Sequence, residues 1–401
     1  MYKLIKKILS KSTVFFYTGF KKNGLIIYDD FFPSPISGFR LDEFSYILNK
    51  IPSSRIIIDS KRTYKYFGRA GEDVSKDINS FFRNNENIQK HRIYVVKKNN
   101  DINCKLFYVL FYHNLLKVYK YLFFFRIPFV FTLYPGGDFV INNPKVNKEL
   151  RKMLSSDLCK AVIVNQLFTK QYLLQNSICK EEKIKLIFGL PLSKKKLLYD
   201  TRNKEYYPYK KQYLDICFVG SKYTEKGLDK GYDIFIGIAK ELMKNKFIRF
   251  HVVGNFTEED IDVKEIGDRI KFYGTVKSQE LNELLSLFDI IVAPNRNNVL
   301  AEGAFDGFPV GCCIEASLVG CCIITTDPLF ENKYFEEGKE ICIVKPEVND
   351  IVRKIEKMIA HPGAIQLMGE AGMMKTKYLY SETLQLEERV KILNGFLKIV
   401  D

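Results

Sequence analysis

The chain has 401 residues, enough for two domains that each bury a core. An apolar share of 46% and a charged share of 27% are those of a soluble globular protein and exclude a disordered or fibrous one. The charge is lopsided: residues 1–200 hold 35 Lys and Arg against 16 Asp and Glu, and the remainder holds 27 against 31. A basic first half suits an anionic partner, whether nucleic acid, an acidic membrane or a phosphorylated substrate. The plainer reading is an Asn-, Ile-, Lys- and Tyr-rich composition that loads lysine onto solvated faces.

No apolar run reaches the length of a membrane span; the nearest, "YLFFFRIPFVFTLY", is cut by Arg126 and Pro128. The basic start has too short an apolar stretch for a secretory signal, so a cytoplasmic protein is expected. The nine cysteines have no regular framework, and disulfides are not expected. In "GCCIEASLVGCC" (311–322) two adjacent Cys pairs flank Glu315, a spacing unlike that of zinc ligands, and no metal is expected.

Short β-rich runs alternate with helical patterns through most of the chain. In the first half the strand candidates are 24–29, 55–59, 93–96, 106–113, 129–134, 161–166 and 184–189, with helices such as "RLDEFSYILNKI" and "TKQYLLQN" between them. That alternation predicts βαβ units and a mainly parallel sheet. Residues 193–212, "SKKKLLYDTRNKEYYPYKKQ", are polar and basic and read as a linker. The pattern then restarts with the strand "LDICFVG" and the helix "GYDIFIGIAKELMKN", apolar at 234, 235, 238, 239 and 242. The fold class expected is α/β, with two Rossmann-like domains facing across a cleft. Their spans are 1–200 and 201–379, and a final helix in 380–401 packs back on the first. Ligands in such folds sit at the C-terminal ends of the strands.

Two segments of the second half carry chemistry. "CFVGSKYTEKGLDKGYD" is a strand, a loop and a helix start. Gly220, Gly227 and Gly231 admit a close ligand, and Lys222, Lys226 and Lys230 can place ammonium groups on a phosphate. It has neither the dinucleotide fingerprint nor a Walker loop. "AFDGFPVGCCIEASLVGCC" reads as a loop, Gly307-Phe308-Pro309, entering a helix with Pro309 at its first position and Gly320 just past its end. A helix start attracts anions. Glu315, six residues on and about 9 Å along the axis, can accept hydrogen bonds from a diol such as a ribose.

Together these segments resemble the nucleotide-sugar-binding domain of the group 1 glycosyl transferases, retaining enzymes of the GT-B fold. The likeness covers roughly 214–330 and includes "IKFYGTV…ELNELLSLFD" and "LFDIIVAPN". The first acid of the family motif is Asp306 rather than Glu, and eight residues instead of seven separate it from Glu315; Ser221-Lys222 replaces the usual Gly-Arg. The resemblance implies that Glu315 binds the donor ribose. It implies that Lys222 and Lys230, with Lys230 favoured over Lys226, neutralise the diphosphate beside Asp306 and Gly220. Backbone around Gly307, Phe308, Pro309 and Val310 would meet phosphate or sugar, and the base would lie near Gly274 and Val276. Charge building on a departing diphosphate can be met by fixed cations and a helix start without a metal. The "DID" at 260–262 sits in a polar loop and reads as surface, so no cofactor is expected.

In the first half the family's glycine turn corresponds to "SGFR", with Gly38 and Arg40 as donor-side candidates. Tyr134 stands where the family often has a histidine, and His113, ending an earlier strand, can face the cleft. The leading expectation is a glycosyltransferase taking a nucleotide-diphosphate sugar to a glycan or lipid-linked acceptor. The alternatives are an inverting transferase or epimerase, and a basic nucleic-acid-binding protein. No reading module for nucleic acid stands out, so none is expected as partner. "KLIKKILSK" and "LLKVYKYLFFFR" have the basic amphipathic character of a segment on an anionic membrane surface.

Overall fold

The structure, a computed structural model, describes residues 15–20, 22–59, 64, 74–361 and 363–399. The basic stretch at 3–11 lies outside them. The first domain runs β1 (Phe15–Tyr17), β2 (Asn23–Asp29), α1 (Gly38–Lys50), β3 (Ser54–Ile58), α2 (Ser75–Arg83), β4 (Ile93–Val95), β5 (Asn99–Asp101), β6 (Cys104–Leu110), α3 (Tyr112–Phe124), β7 (Phe129–Leu133), α4 (Pro144–Leu154), β8 (Cys159–Val164), α5 (Leu167–Gln175) and β9 (Ile184–Leu186). Its seven-stranded sheet is parallel throughout, in the order β4-β3-β2-β6-β7-β8-β9, and β1 pairs with β5 apart from it.

The strands of this sheet are continuous apolar runs because both faces are covered. Ile27, Leu106, Tyr108 and Val130 pack on Phe44, Ile47 and Leu48 of α1. Ile26, Phe107, Val109 and Phe129 pack on Leu115, Val118 and Leu122 of α3 and Leu150 of α4.

The segment between the domains holds a short helix, α6 (Lys194–Leu197). The second domain then runs β10 (Leu214–Val219), α7 (Tyr232–Leu242), β11 (Ile248–Val253), β12 (Ile270–Phe272), α8 (Ser278–Leu285), β13 (Ile290–Ala293), α9 (Gly311–Leu318), β14 (Cys322–Thr326), β15 (Cys342–Val344), α10 (Val348–Ile359) and α11 (Ala364–Leu379). Its six strands are parallel, in the order β12-β11-β10-β13-β14-β15. Ile216 and Phe218 face Phe235 and Ile238 of α7, while Cys217, Ile291 and Ile323 face Leu285 of α8 and Cys313 and Ile314 of α9. The cysteines are all free and, except Cys312, buried; they pack this layer.

In each sheet the strand order reverses once, between β2 and β6 and between β10 and β13. Crevices open beyond the C-terminal ends of strands at such points, and both sets of candidate residues lie there.

Several expectations need correction. His113 does not end a strand: β6 stops at Leu110, and His113 is in the first turn of α3. The segment read as a linker is held in place. Lys204 Nζ donates to Ser286 O at 2.9 Å and Phe288 O at 2.6 Å, and Tyr206 donates to Gly320 O, so this segment is stapled to the second domain. After a π-helical turn, α12 (Glu388–Ile399) lies against the first sheet, where Leu393 joins its core. Among the described residues no helix is long and apolar enough to cross a membrane.

Candidate functional site

The loop after β10 ends at Gly231, whose φ of 73° opens α7. A Cβ there would lie 2.2 Å from Pro294 O, so only glycine lets this turn press against the end of β13. The packing brings Lys230 to Asp306: Nζ donates to both carboxylate oxygens at 2.8 Å. Asn295, just past β13, donates to the same carboxylate at 2.6 Å. Burial works against the Lys230 charge, but the Asp306 carboxylate outweighs it and raises the lysine's pKa. Lys222 Nζ meets Asp260 at 2.7 Å, so the "DID" loop is not bare surface; Asp260 also accepts from Thr257 N. Although partial burial of Asp260 opposes it, the Lys222 hydrogen bond lowers its pKa. Lys226 is exposed, with φ of 55°. Gly220, Gly254 and Gly274 meet at the strand ends, where Gly254 N donates to Gly274 O at 2.8 Å, and Val276 is partly buried beside them.

Helix α9 starts at Gly311 with Val310 in extended conformation before it. Pro309 is therefore outside the helix, and its bond to Phe308 is cis. The reason is visible across the cleft. Gln166 of the first domain accepts from Phe308 N at 3.1 Å and donates to Phe308 O at 3.3 Å, and its amide also lies against Gly307. This clamp holds the turn away from helical geometry. It also occupies the Phe308 N–H that sequence reasoning gave to the donor.

Glu315 sits mid-helix and is not alone. Lys196 of α6 donates to its Oε1 at 3.1 Å and lies 3.3 Å from Asp42 Oδ2 of α1. The Lys196 side chain is 12% exposed. Burial opposes its charge, yet Glu315 and Asp42 together hold its pKa above the ordinary lysine range. Three segments thus meet at one cation between the domains.

The first domain contributes a second cluster. Arg40 pairs with Asp29 at 3.2 Å, donates to Ser37, and stacks over Phe111 at 4.3 Å, so its guanidinium is committed. Gly38 is the first residue of α1. His113 Nε2 meets Asp30 Oδ2 at 2.9 Å, and Asn114 and Lys117 serve the same carboxylate. Burial favours the neutral acid, but His113 and then Lys117 hold Asp30 well below the usual carboxylate range. Tyr134 does not offer a free hydroxyl. It is buried, donates to Glu43 at 3.3 Å and accepts from Arg389 of α12 at 3.2 Å, so it ties the returning helix to the sheet.

The domains are also fastened beside the site. Glu331, 3% exposed, accepts from Leu167 N at 2.9 Å and from Phe168 N, capping α5 from the opposite domain. Burial pushes its carboxyl up to about 7, against the pull of the two N–H groups. Phe305, next to Asp306, inserts between Phe139 and Phe168 with centroids 5.6 and 5.8 Å away.

Sequence reasoning missed Asn295, Lys196, Asp42, Asp30, Gln166 and Glu331. Asn295 had a signal, since it follows a strand at its ligand-facing end. Lys196 is one lysine among three in a basic run, and nothing local marks it. Among the described residues no group of His, Cys, Asp and Glu is arranged to hold a metal.

Residues 200–374 match the family model described as glycosyl transferases group 1. No curated protein sequence matches the chain. Among solved structures, a glycosyltransferase from Rickettsia africae ESF-5 superposes with a TM-score of 0.67 at 17% identity, covering 94% of this chain and all of that one. Sucrose-phosphate synthase from Thermosynechococcus elongatus gives 0.65 at 12% identity over 94% of this chain and all of that one. Anabaena HepE in complex with UDP and glucose gives 0.60 at 14% identity over 93% of this chain and all of that one. The second domain of this chain is thus similar to the group 1 glycosyl transferases, and the chain as a whole has the two-domain GT-B fold.

Proposed function

We propose that the chain transfers a hexosyl group from a nucleoside-diphosphate sugar to a glycan or lipid-linked acceptor, with retention of configuration and without a metal. The second domain, 201–379, takes the donor, and residues 1–200 with the returning helix take the acceptor. Such a reaction fits surface polysaccharide or glycoconjugate synthesis in the cytoplasm or at the inner face of the cell membrane.

One observation carries this reading: Lys230, fixed by Asp306 and Asn295, stands at the switch point of the second sheet, on the domain that also bears Glu315. The ribose hydroxyls donate to Glu315. The diphosphate lies toward Lys230 and Lys222, with the free backbone at the start of α9 completing its cradle. The C1–O bond to the diphosphate breaks and its electron pair stays on the phosphate oxygen, where Lys230 meets the new charge. The acceptor oxygen bonds C1 from the same face, and its proton passes to that phosphate oxygen, so no protein nucleophile is needed. The Asp30–His113 pair, at the switch point of the first sheet, orients the acceptor or the sugar. The HepE structure holding UDP and glucose supports a nucleotide in this fold.

Thermal-shift screening against UDP-, GDP- and ADP-sugars, followed by NMR of the product anomer, tests the proposal. One nucleotide class should raise Tm, and its sugar should be transferred with the anomeric configuration kept. An inverted product would overturn retention, a free epimer would indicate an epimerase, and no response to any nucleotide would overturn the whole reading.

A further inference from the structure

The outward face of α3 is apolar where solvent should meet polar residues. Its inner face buries Leu115, Val118, Tyr119 and Leu122. The opposite face carries Leu116, Lys120, Phe123 and Phe124, spaced i, i+4, i+7 and i+8, so they form one strip. Leu116 is 38% exposed, and Phe123 and Phe124 are 53% exposed each. The Phe124 ring lies 5.0 Å from that of Phe125, so the strip ends in a patch of rings rather than one stray side chain. A helix apolar on both sides is normally covered on both sides.

The surroundings say what covers it. Helix α3 contains no acidic residue. Helix α4 lies alongside, joined by Tyr112 to Glu149 and by Tyr119 OH to Lys152 O at 3.3 Å. It adds exposed Lys145, Lys148 and Lys152, and its Glu149 is already engaged with Tyr112. The local ion pairs are made by His113 and Lys117 with Asp30 and Asp59. Lys120, Arg126, Lys148 and Lys152 have no carboxylate partner among the described residues. Apolar rings beside unpaired cations match the chemistry of an anionic lipid surface, with rings in the acyl boundary and cations on the phosphates. A second copy fits poorly, because a two-fold contact through this face would set cations against cations. Nucleic acid would engage the cations and leave the Phe pair without an apolar partner.

We propose that the outward face of α3, with the adjoining edge of α4, docks the protein on an anionic lipid bilayer. This deepens the lipid-linked branch of the function proposed above, and its test does not use the nucleotide. The full chain is sedimented with vesicles of phosphatidylcholine alone and of phosphatidylcholine mixed with phosphatidylglycerol, at low and high salt. The expected result is binding to the mixed vesicles at low salt and at least about tenfold less to neutral ones. Phe123→Ser with Phe124→Ser, and separately Lys148→Glu with Lys152→Glu, should each weaken binding about tenfold or more. Both variants alter exposed side chains and should keep the wild-type Tm and nucleotide response. No binding to anionic vesicles overturns the proposal, as does wild-type binding by both variants. A concentration-dependent dimer abolished by the Phe pair would assign the face to a second copy instead, and DNA binding abolished by the Lys pair would assign it to nucleic acid. Vesicle binding without any nucleotide response would keep this surface and remove the transferase reading.

Discussion

Replacing Lys230 by methionine separates what this residue does for the fold from what it does for the reaction. Methionine keeps an unbranched stem of similar length beside the Tyr223 ring, which the ammonium now faces at 5.2 Å. The lost ion pair is the bidentate contact of Nζ with Asp306 at 2.8 Å. The Asp306 side chain is 35% exposed and keeps its bond from Asn295, so solvent takes up much of its charge. The stability cost is therefore near that of a surface pair, about 1 kcal/mol. In the proposed reaction the catalytic cost is larger, because the ammonium would be fixed in advance where the diphosphate gains charge. Removing one such group costs about 10²–10³ in kcat, or ~3–4 kcal/mol of barrier. Initial rates at saturating donor, measured beside the melting curve, read both quantities. A large fall in kcat with a shift in Tm of a few degrees is expected. A Lys230→Met enzyme within about threefold of the wild-type kcat would refute the argument, since a transition-state contact cannot be removed without slowing the step it serves.

Two further outcomes follow from the interface. Lys196→Met leaves Asp42 and Glu315 facing each other without their cation and should destabilise by about 3–5 kcal/mol. Adding Asp42→Asn should return part of that loss in denaturant melts, and equal losses in the single and double variants would contradict the shared-cation geometry. Glu331, raised from 4.5 to about 7, keeps in the folded chain a proton that the unfolded chain has released. Its contribution is therefore fully present below 4.5 and is lost as pH rises through about 7, a fall of at most ~3 kcal/mol. Glu331→Gln should flatten the decline of Tm between about pH 5 and about pH 8. A variant with the wild-type slope would show that the carboxyl titrates normally.

The fold was largely legible in the chain, because parallel strands covered on both faces leave continuous apolar runs such as "LIIY" and "ICFV". The candidate residues of the second domain drew notice for a related reason: Lys230 and Asp306 stand in glycine-bearing turns, and Glu315 is the lone carboxylate of a short apolar helix. The first domain was harder to read. Tyr134 occupies a promising strand end, yet its surroundings are set by Arg389, 255 residues away in sequence, and no local pattern reports that partner. His113 looked like the end of a long apolar strand because Phe111 and Tyr112 continue the run. The break comes from Phe111, whose φ of 66° turns the backbone into α3. The interdomain contacts were the least visible. Gln166, Lys196 and Glu331 acquire meaning only when two sheets are set face to face.

The central claim is that Glu315 holds the ribose of a nucleoside diphosphate. Calorimetry tests it most directly, using the diphosphate selected by the sugar screen and its 2′,3′-dideoxy analogue on the wild type and on Glu315→Ala. The wild type should prefer the ribose form by about tenfold or more, and Glu315→Ala should bind both forms with the same weakened affinity. Equal discrimination by the two proteins would contradict the claim.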